Sequence, residues 1–579
     1  MVMQETKKTF LRKKFNSMLV GGTLTSVLVT VMMLSDTIIA GFTLGEDAVA
    51  AINLVTPMYS LAAFFGTIVS IGVPILYSNA MGRFEKEAAD RYFGFGFTIS
   101  VAIGIIMFIL LLFFGDAYLR FYNPSDTLFL LAKNYFFWYK FDILILPLST
   151  LMVEMLFADG DETTCTIAGL VEVIGNIALS IILSNFIGIS GIGASSFIGT
   201  LLSLSICFTH LLRPGNSLKI NFYFSKTIIP PVIKYSIIDS STYLFLAIFT
   251  AAMNHFVSAA FGSDHLILVS IILFMKELQL VFDGIGEALN PILSVYLGEK
   301  TYDGVHRCFN MAAKMAMIEG IIMSILFFGI SSFIPGVYGI ADQELSALAA
   351  SGIRIISLSL VFISLLYLIT SYYLLIDKIF LGVIISGMRD VIFALPLAVI
   401  LGLLFNETGM FIGIMIAPFI SCIVAAFYVY LKYGKENFPL ILADREKAVK
   451  EKLFDIYIEP ETIIRLQSSI SDYLKENEVD YRVIGRIKLL TEEIFMLIYE
   501  KNEARKDLCG ECVINIEEDG VQMITKDDGK IFNISDEDVI PGSILSFAVS
   551  SYMEAMKEEK KNLTTMSCNR NTFFIKNEV

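Results

Sequence analysis

Long apolar stretches broken by short polar turns fill residues 16–433 and then stop. A bilayer-crossing helix needs about 18 or more such residues in a row. Twelve helices are predicted on that basis, near 17–43, 49–80, 92–115, 130–157, 163–187 and 190–212, then near 229–259, 264–296, 308–335, 347–375, 379–404 and 408–433. Several exceed the ~20 residues that a bilayer demands, so they tilt, bend or protrude.

Beyond residue 436 charges are dense and the periodicity changes. "LFDIYIEP" reads as a short strand, "ETIIRLQSSISDYLKEN" and "YRVIGRIKLLTEEIFMLIYEKN" as amphipathic helices, and "CVINIEE" and "VQMITKDD" as strands. A turn at "DDGK", a helix "SILSFAVSSYMEAM" and strands "LTTMSCN" and "TFFIKN" complete the order β-α-α-β-β-α-β-β. That order predicts an α/β sandwich with helices on one face of a mixed sheet.

Composition agrees. The 579 residues are 55% hydrophobic and 17% charged, with mean hydropathy +0.69, which marks a polytopic membrane protein. The net charge of −14 argues against nucleic acid as a partner. Seven cysteines are scattered, and "CGEC" (509–512) is a lone CxxC without a second pair, so reduced thiols are expected rather than zinc. The expected organisation is a basic cytoplasmic arm (1–15), a six-helix lobe (16–213), a linker (214–228), a second six-helix lobe (229–435), a linker (436–451) and a cytoplasmic tail domain (452–579). With the N-terminus inside, the even-numbered connections carry Arg83, Lys86 and Arg91, then Arg213, Lys219 and Lys226, then Lys300 and Arg307. The odd-numbered ones are poor in Lys and Arg, so both termini are expected on the cytoplasmic side.

An internal repeat links the halves. "YSNAMGRFEKEAADRYFGF" (77–95) and "LSVYLGEKTYDGVHRCFNM" (293–311) align Ser78 with Ser294 and Gly82 with Gly298. Further on, Asp159 falls opposite Asp377 and Glu172 opposite Asp390. Parallel six-helix copies are the architecture of transporters that bind substrate between halves and alternate access by rocking.

Acids inside apolar helices mark ion or substrate paths, since a carboxylate is costly at membrane depth. Asp36 sits in the middle of the first apolar run. Glu172 and Asn176 stand at i and i+4, on one helix face, where Glu172 either serves a site or is simply solvated. In "FMKELQLVFDGIGEALNP", Lys276, Asp283 and Glu287 fall within about 40° on a regular helical wheel and are expected to line a cavity. Lys276 and Asp283 lie two turns apart, so other partners or water must intervene. Glu277 points off that face. Asp239 and His255 add polar groups to the second lobe; His255 is either a proton carrier or a hydrogen-bonded core histidine.

The runs "SDTIIAGFTLGEDAVAAINLVTP" (35–57) and "GVPILYSNAMGRFEKEAA" (72–89) resemble the first two helices of multidrug and toxic compound extrusion (MATE) transporters. "ADGDETT" (158–164) resembles that family's loop after its fourth helix, and "NIALS" (176–180) its fifth-helix element. The resemblance implies a two-lobe fold and export of drugs or metabolites driven by inward H⁺ or Na⁺. Asp36 then matches the acid that carries the coupling ion, and Asn176 its partner. Ser180 stands where many relatives carry Asp, which favours H⁺, because one carboxylate can carry a proton alone.

The tail resembles the histidine-kinase-like ATPase domain of anti-sigma-factor serine kinases. Glu493 matches the helix acid of that family, and Asp528 with Gly529 its adenine-contacting pair. The magnesium-binding Asn position is Leu497 and the only candidate lid is "VIPGSILS", so the resemblance implies a degenerate module without catalysis.

The expected protein is thus a cation-coupled efflux antiporter of the bacterial inner membrane with a regulatory tail, and not an enzyme. Its expected partners are the bilayer, H⁺ or Na⁺, a small organic cation or neutral substrate, and a cytoplasmic regulator or nucleotide at the tail. No cofactor is required. A lipid-linked precursor flippase and a membrane-bound sensor are the alternatives; acids outnumber bases at depth, which suits cationic or neutral cargo.

Overall fold

The computed structural model describes residues 9–82, 85–159, 161–212, 218–447, 449–502, 505, 507–530 and 568–577. The first half is six helices: α1 (Phe10–Leu44), α2 (Glu46–Gly82), α3 (Lys86–Arg120), α4 (Asp126–Ala158), α5 (Glu162–Ile187) and α6 (Ile189–Leu211). Ser125 caps α4 by accepting from Leu128 N, and Asp161 caps α5 by accepting from Thr164 N. Gly188 turns α5 back into α6 at φ 62°, a conformation that suits glycine.

The second half holds α7 (Ile229–Ala260), α8 (Leu266–Glu277), α9 (Asp283–Gly298), α10 (Tyr302–Ile330), the single turn α11 (Ile334–Val337), α12 (Gln343–Ser357), α13 (Leu360–Leu375), α14 (Ile379–Gly387) and α15 (Ala394–Tyr433). Among the described residues nine helices are long and apolar enough to cross a membrane, or ten if the pair α12–α13, bent by 49°, is one span. The difference from twelve has two sources. In α1 only Met33–Leu44 registers as a shorter apolar segment, and 379–433 counts as one segment although its backbone leaves helical geometry at Phe405 and Asn406. A Cβ on Gly413 would run into the Leu397 carbonyl, and one on Gly409 into that of Leu401, so the chain doubles back there as a hairpin.

The predicted helix 264–296 is broken. A 3₁₀ turn, Leu278–Phe282, separates α8 from α9. The regular wheel that put Lys276, Asp283 and Glu287 on one face therefore does not hold through this stretch, because a 3₁₀ turn advances about 120° per residue. The side chain of Glu287 lies outside the described residues.

Two compact units make up the chain: Thr25–Asp283 with Ala316–Ala425, and Met1–Leu24 with Gly284–Met315 and Ala426–Val579. In the first, α2 packs along α7, and the buried Asn53 donates to Asn254 Oδ1 at 3.0 Å and to the Leu266 carbonyl at 3.4 Å.

In the second unit, α16 (Ala443–Glu446) leads into β1 (Lys450–Tyr457), α17 (Pro460–Glu476), α18 (Tyr481–Lys501), β2 (Cys509–Ile516), β3 (Gly520–Asp527) and β4 (Asn569–Lys576). The sheet, in order β1-β2-β3-β4, is antiparallel throughout, which corrects the mixed sheet expected above. The predicted strand "TFFIKN" falls within β4 up to Lys576, while "SILSFAVSSYMEAM", "VIPGSILS" and most of "LTTMSCN" lie outside the described residues. Ile463, Ile470, Ile487 and Phe495 of α17 and α18 pack over Cys512, Ile514, Met523 and Phe573. Side chains alternate along strands, so Asp455, Glu511, Lys526 and Arg570, aligned by register, share the opposite face.

That polar face is buried. Lys526 Nζ binds Glu511 at 2.9 Å and Glu299, just past α9, at 2.5 Å, with all three side chains no more than 1% exposed. Tyr296 donates to Glu511 at 2.8 Å, Arg570 pairs with Glu299 at 2.7 Å, and Asn515 donates to the Glu299 carbonyl at 3.0 Å. Arg307 binds Asp455 at 2.6 Å, and Asp303 N donates to Glu451 at 2.7 Å. Burial alone would strip the charge from Lys526, but Glu511 and Glu299 outweigh it and hold the ammonium above its usual range.

Candidate functional site

Asp36 of α1 is half-buried among side chains of α4, α5 and α6. Ser196 Oγ donates to its Oδ2 at 2.8 Å, and Ser180 Oγ lies 3.5 Å from Oδ1. Asn176 Nδ2 donates to Ser196 Oγ at 3.1 Å, and Tyr135 reaches the same carboxylate. The grouping follows from spacing: Asn176 and Ser180 stand one turn apart on α5, and Ser196 faces them from α6, beyond the Gly188 turn. Ser180, where a second acid is missing, thus remains in contact with Asp36. Tyr135 stacks on Tyr139 at 4.9 Å, and Tyr139 meets Tyr59 at 5.8 Å, walling the carboxylate with aromatic rings.

Glu172 lies near the hydroxyls of Ser203 and Thr200 on α6, though Ser203 Oγ has no hydrogen-bond partner among the described residues. Asp142 on α4, absent from the sequence-derived set, is 3% exposed and shares Thr200 with it. The sequence showed Asp142 only as one acid in a long apolar helix; its partners come from another element.

The second half is built differently. Lys276 ends α8, and its Nζ binds Asp390 at 3.3 Å and lies 4.3 Å from the centre of the Phe249 ring. Arg389 holds Asp390 through two contacts, 3.1 and 2.6 Å, and lies over Tyr367 at 3.8 Å. Both stand in a π-helical turn, Met388–Ile392. Asp390 is therefore the partner that Lys276 required. Asp283 lies within electrostatic reach of Arg389 and Tyr243, and Asp239 also reaches Tyr243. Glu277 lines a small cavity with Thr37, Asn53, Thr56, Ser270 and Tyr338.

His255 stands apart from these groups. It is exposed and its ring stacks on Phe121 at 4.8 Å, so it is neither a core histidine nor a member of either cluster. His210 is the buried histidine, bridging Asp159 and Asp161 at 2.8 Å each. In the tail, Glu493 is half-buried on α18, while the Asp528 carboxylate is ion-paired to Lys13 and to Arg505 (3.3 Å) and accepts from Cys509 N at 2.9 Å. Gly529 N donates to Asp527 at 2.9 Å.

Residues 23–209 match the MatE family model. Solved MATE structures overlay most of the chain: an inward-facing multidrug resistance MATE transporter gives a TM-score of 0.65 at 17% identity, covering 70% of this chain and 94% of that one. An outward-facing form gives 0.59 at 17% identity, covering 74% and 98%.

The chain has the MATE fold.

A curated relative, the probable multidrug resistance protein YoeA of Bacillus subtilis (strain 168), is 22% identical over 361 residues, 59% of this chain and 77% of the relative. The MatE match covers α1 to α6 nearly end to end and so includes the Asp36 cluster. With its apolar helices, the MATE fold makes this a multi-pass membrane protein.

Proposed function

We propose that this chain is a cation-coupled exporter of small organic molecules, with Asp36 carrying the coupling ion. The observation that carries the reading is the Asp36 cluster: a carboxylate in a MATE-fold bundle, held by side chains from three other helices. The cargo class follows the names of YoeA and of the MATE structures. H⁺ is favoured over Na⁺ because Ser180, not a second carboxylate, stands against Asp36, and one carboxylate can carry a proton alone. The Lys276–Arg389–Asp390 group is neutralised internally, which speaks for cationic or neutral cargo over a phosphate-bearing one. The protein works in the inner membrane with both termini in the cytoplasm.

The tail acts as a regulatory module, through a nucleotide or a protein, without phosphoryl transfer. Its support is the buried network that joins the sheet to Glu299 and Arg307.

The test is efflux of a fluorescent cation from vesicles, wild type against Asp36→Asn, with the pH and Na⁺ gradients collapsed separately. Efflux falls to background in the variant and on collapsing the pH gradient alone. Equal efflux from variant and wild type would make Asp36 structural.

A further inference from the structure

The tail sheet holds the helical part of the chain at two places, and the two grips are built differently. One is the buried face described above, where Lys526 binds Glu299 just past α9. The other lies just past β3. Lys13, at the start of α1, ion-pairs with Asp528 and, at 3.2 Å, with Asp507, whose carbonyl it also meets at 3.2 Å. Phe10, Leu11 and Phe15, beside it in sequence, are buried, so the start of α1 is packed in place. Further along, α1 meets α9: a Cβ on Gly284 would run into the Thr23 backbone. One helix from each half is thus held by the same sheet.

The grips differ in what they leave behind on opening. Lys526, Glu511 and Glu299 are buried, and withdrawing the lysine strands Glu511 in the interior. Lys13 is 33% exposed and Asp507 62%. Asp528, 5% exposed, keeps Arg505 at 3.3 Å and Cys509 N at 2.9 Å once Lys13 has gone. Asp507 keeps Arg505 at 2.5 Å. Neither acid is orphaned, and the ammonium returns to water. Opening this grip therefore costs little, and salt lowers the cost further, because it screens exposed pairs far better than buried ones.

We infer that the tail is a clamp across α1 and α9, with a permanent grip at Glu299 and a releasable one at Lys13. α1 runs from Phe10 to Leu44 as one helix and carries Asp36. Its start is where the tail acts on the helix of the coupling ion. The clamp is a brake: while Lys13 is seated, any cycle that rocks one half against the other works against it. The brake rests on the exporter reading; the two grips do not.

The experiment is hydrogen exchange of the purified full-length protein, read at residues 14–24 and 299–307. It compares about 0.1 M with about 1 M salt, between which the screening length falls from about 10 to about 3 Å. Exchange at 14–24 is expected to rise several-fold in high salt and in Lys13→Ala, with 299–307 unchanged. Lys13→Arg, which keeps the charge, is expected to exchange as wild type. Alanine favours helix and a cation near a helix start opposes the dipole, so lost helix propensity cannot produce the rise. No rise at 14–24, or a rise in both segments together, would overturn the releasable grip. In vesicles, Lys13→Ala is expected to export a fluorescent cation faster than wild type; equal or slower export would overturn the brake. Should wild type export no cation, the exporter reading fails, and the exchange result still decides the clamp.

Discussion

Asp36 and Asp527 are both acids among poor solvent, and hydrogen bonds decide what each can do. Asp527, at the end of β3, is fully buried; Gly529 N and Asn569 Nδ2 donate to its Oδ1, each at 2.9 Å. Burial outweighs those donors and pushes its pKa up to about 6. A folded pKa above the unfolded one means that its contribution is fully present below about pH 4 and is lost as pH rises through about 6. The loss is about 3 kcal/mol at most. Asp527→Asn keeps the acceptor oxygen and removes the titration. The expected result, read by thermal unfolding of the full-length protein, is a smaller fall in stability from pH 5 to 8 than in wild type. An unchanged fall would place the pH dependence elsewhere. Asp36 was legible in sequence because a lone acid in an apolar run is costly. Arg389 was not: neighbours on a regular helix do not face each other, and only the π turn brings it onto Asp390.

At the scale of elements, periodicity located most helices within a few residues but could not see the 3₁₀ break after α8, since Leu278–Phe282 is as apolar as its flanks. The tail sheet was legible as strands, while the burial of its second face was not. Glu511 and Lys526 alternate with apolar residues as a solvent-facing set would; it is Tyr296, Glu299 and Arg307, about 200 residues earlier, that cover them. Such a network invites a sharp test. Lys526→Met removes the cation between Glu299 and Glu511, leaving Glu511 buried without its ion partner, while Arg570 still holds Glu299. Breaking one partner of a buried pair costs about 3–5 kcal/mol. Hydrogen exchange in β2, β3 and residues 299–307 is expected to rise together. Unchanged protection in those segments would mean that apolar packing alone holds the sheet there.

Across the whole molecule, the repeat sets Glu172 against Asp390, yet the two halves treat these acids in opposite ways. In the first half hydroxyls stand beside carboxyls and, among the described residues, no cation pairs with Glu172; in the second, Arg389 and Lys276 bind Asp390. The sequence showed the repeat but not this division, because the partners lie on other helices or in an irregular turn. It separates function from stability. Asp390→Asn leaves two buried cations without their shared carboxylate, and the loss belongs in the same range of about 3–5 kcal/mol. Asp36→Asn orphans no charge and keeps an oxygen to accept from Ser196. Thermal unfolding of both variants, beside efflux of the same fluorescent cation, checks the contrast. Asp390→Asn should lower the melting temperature clearly, whereas Asp36→Asn should melt with wild type and fail to export. If Asp36→Asn melted as early as Asp390→Asn, its carboxylate would be holding the bundle together, and its charge would no longer be free for an ion to take.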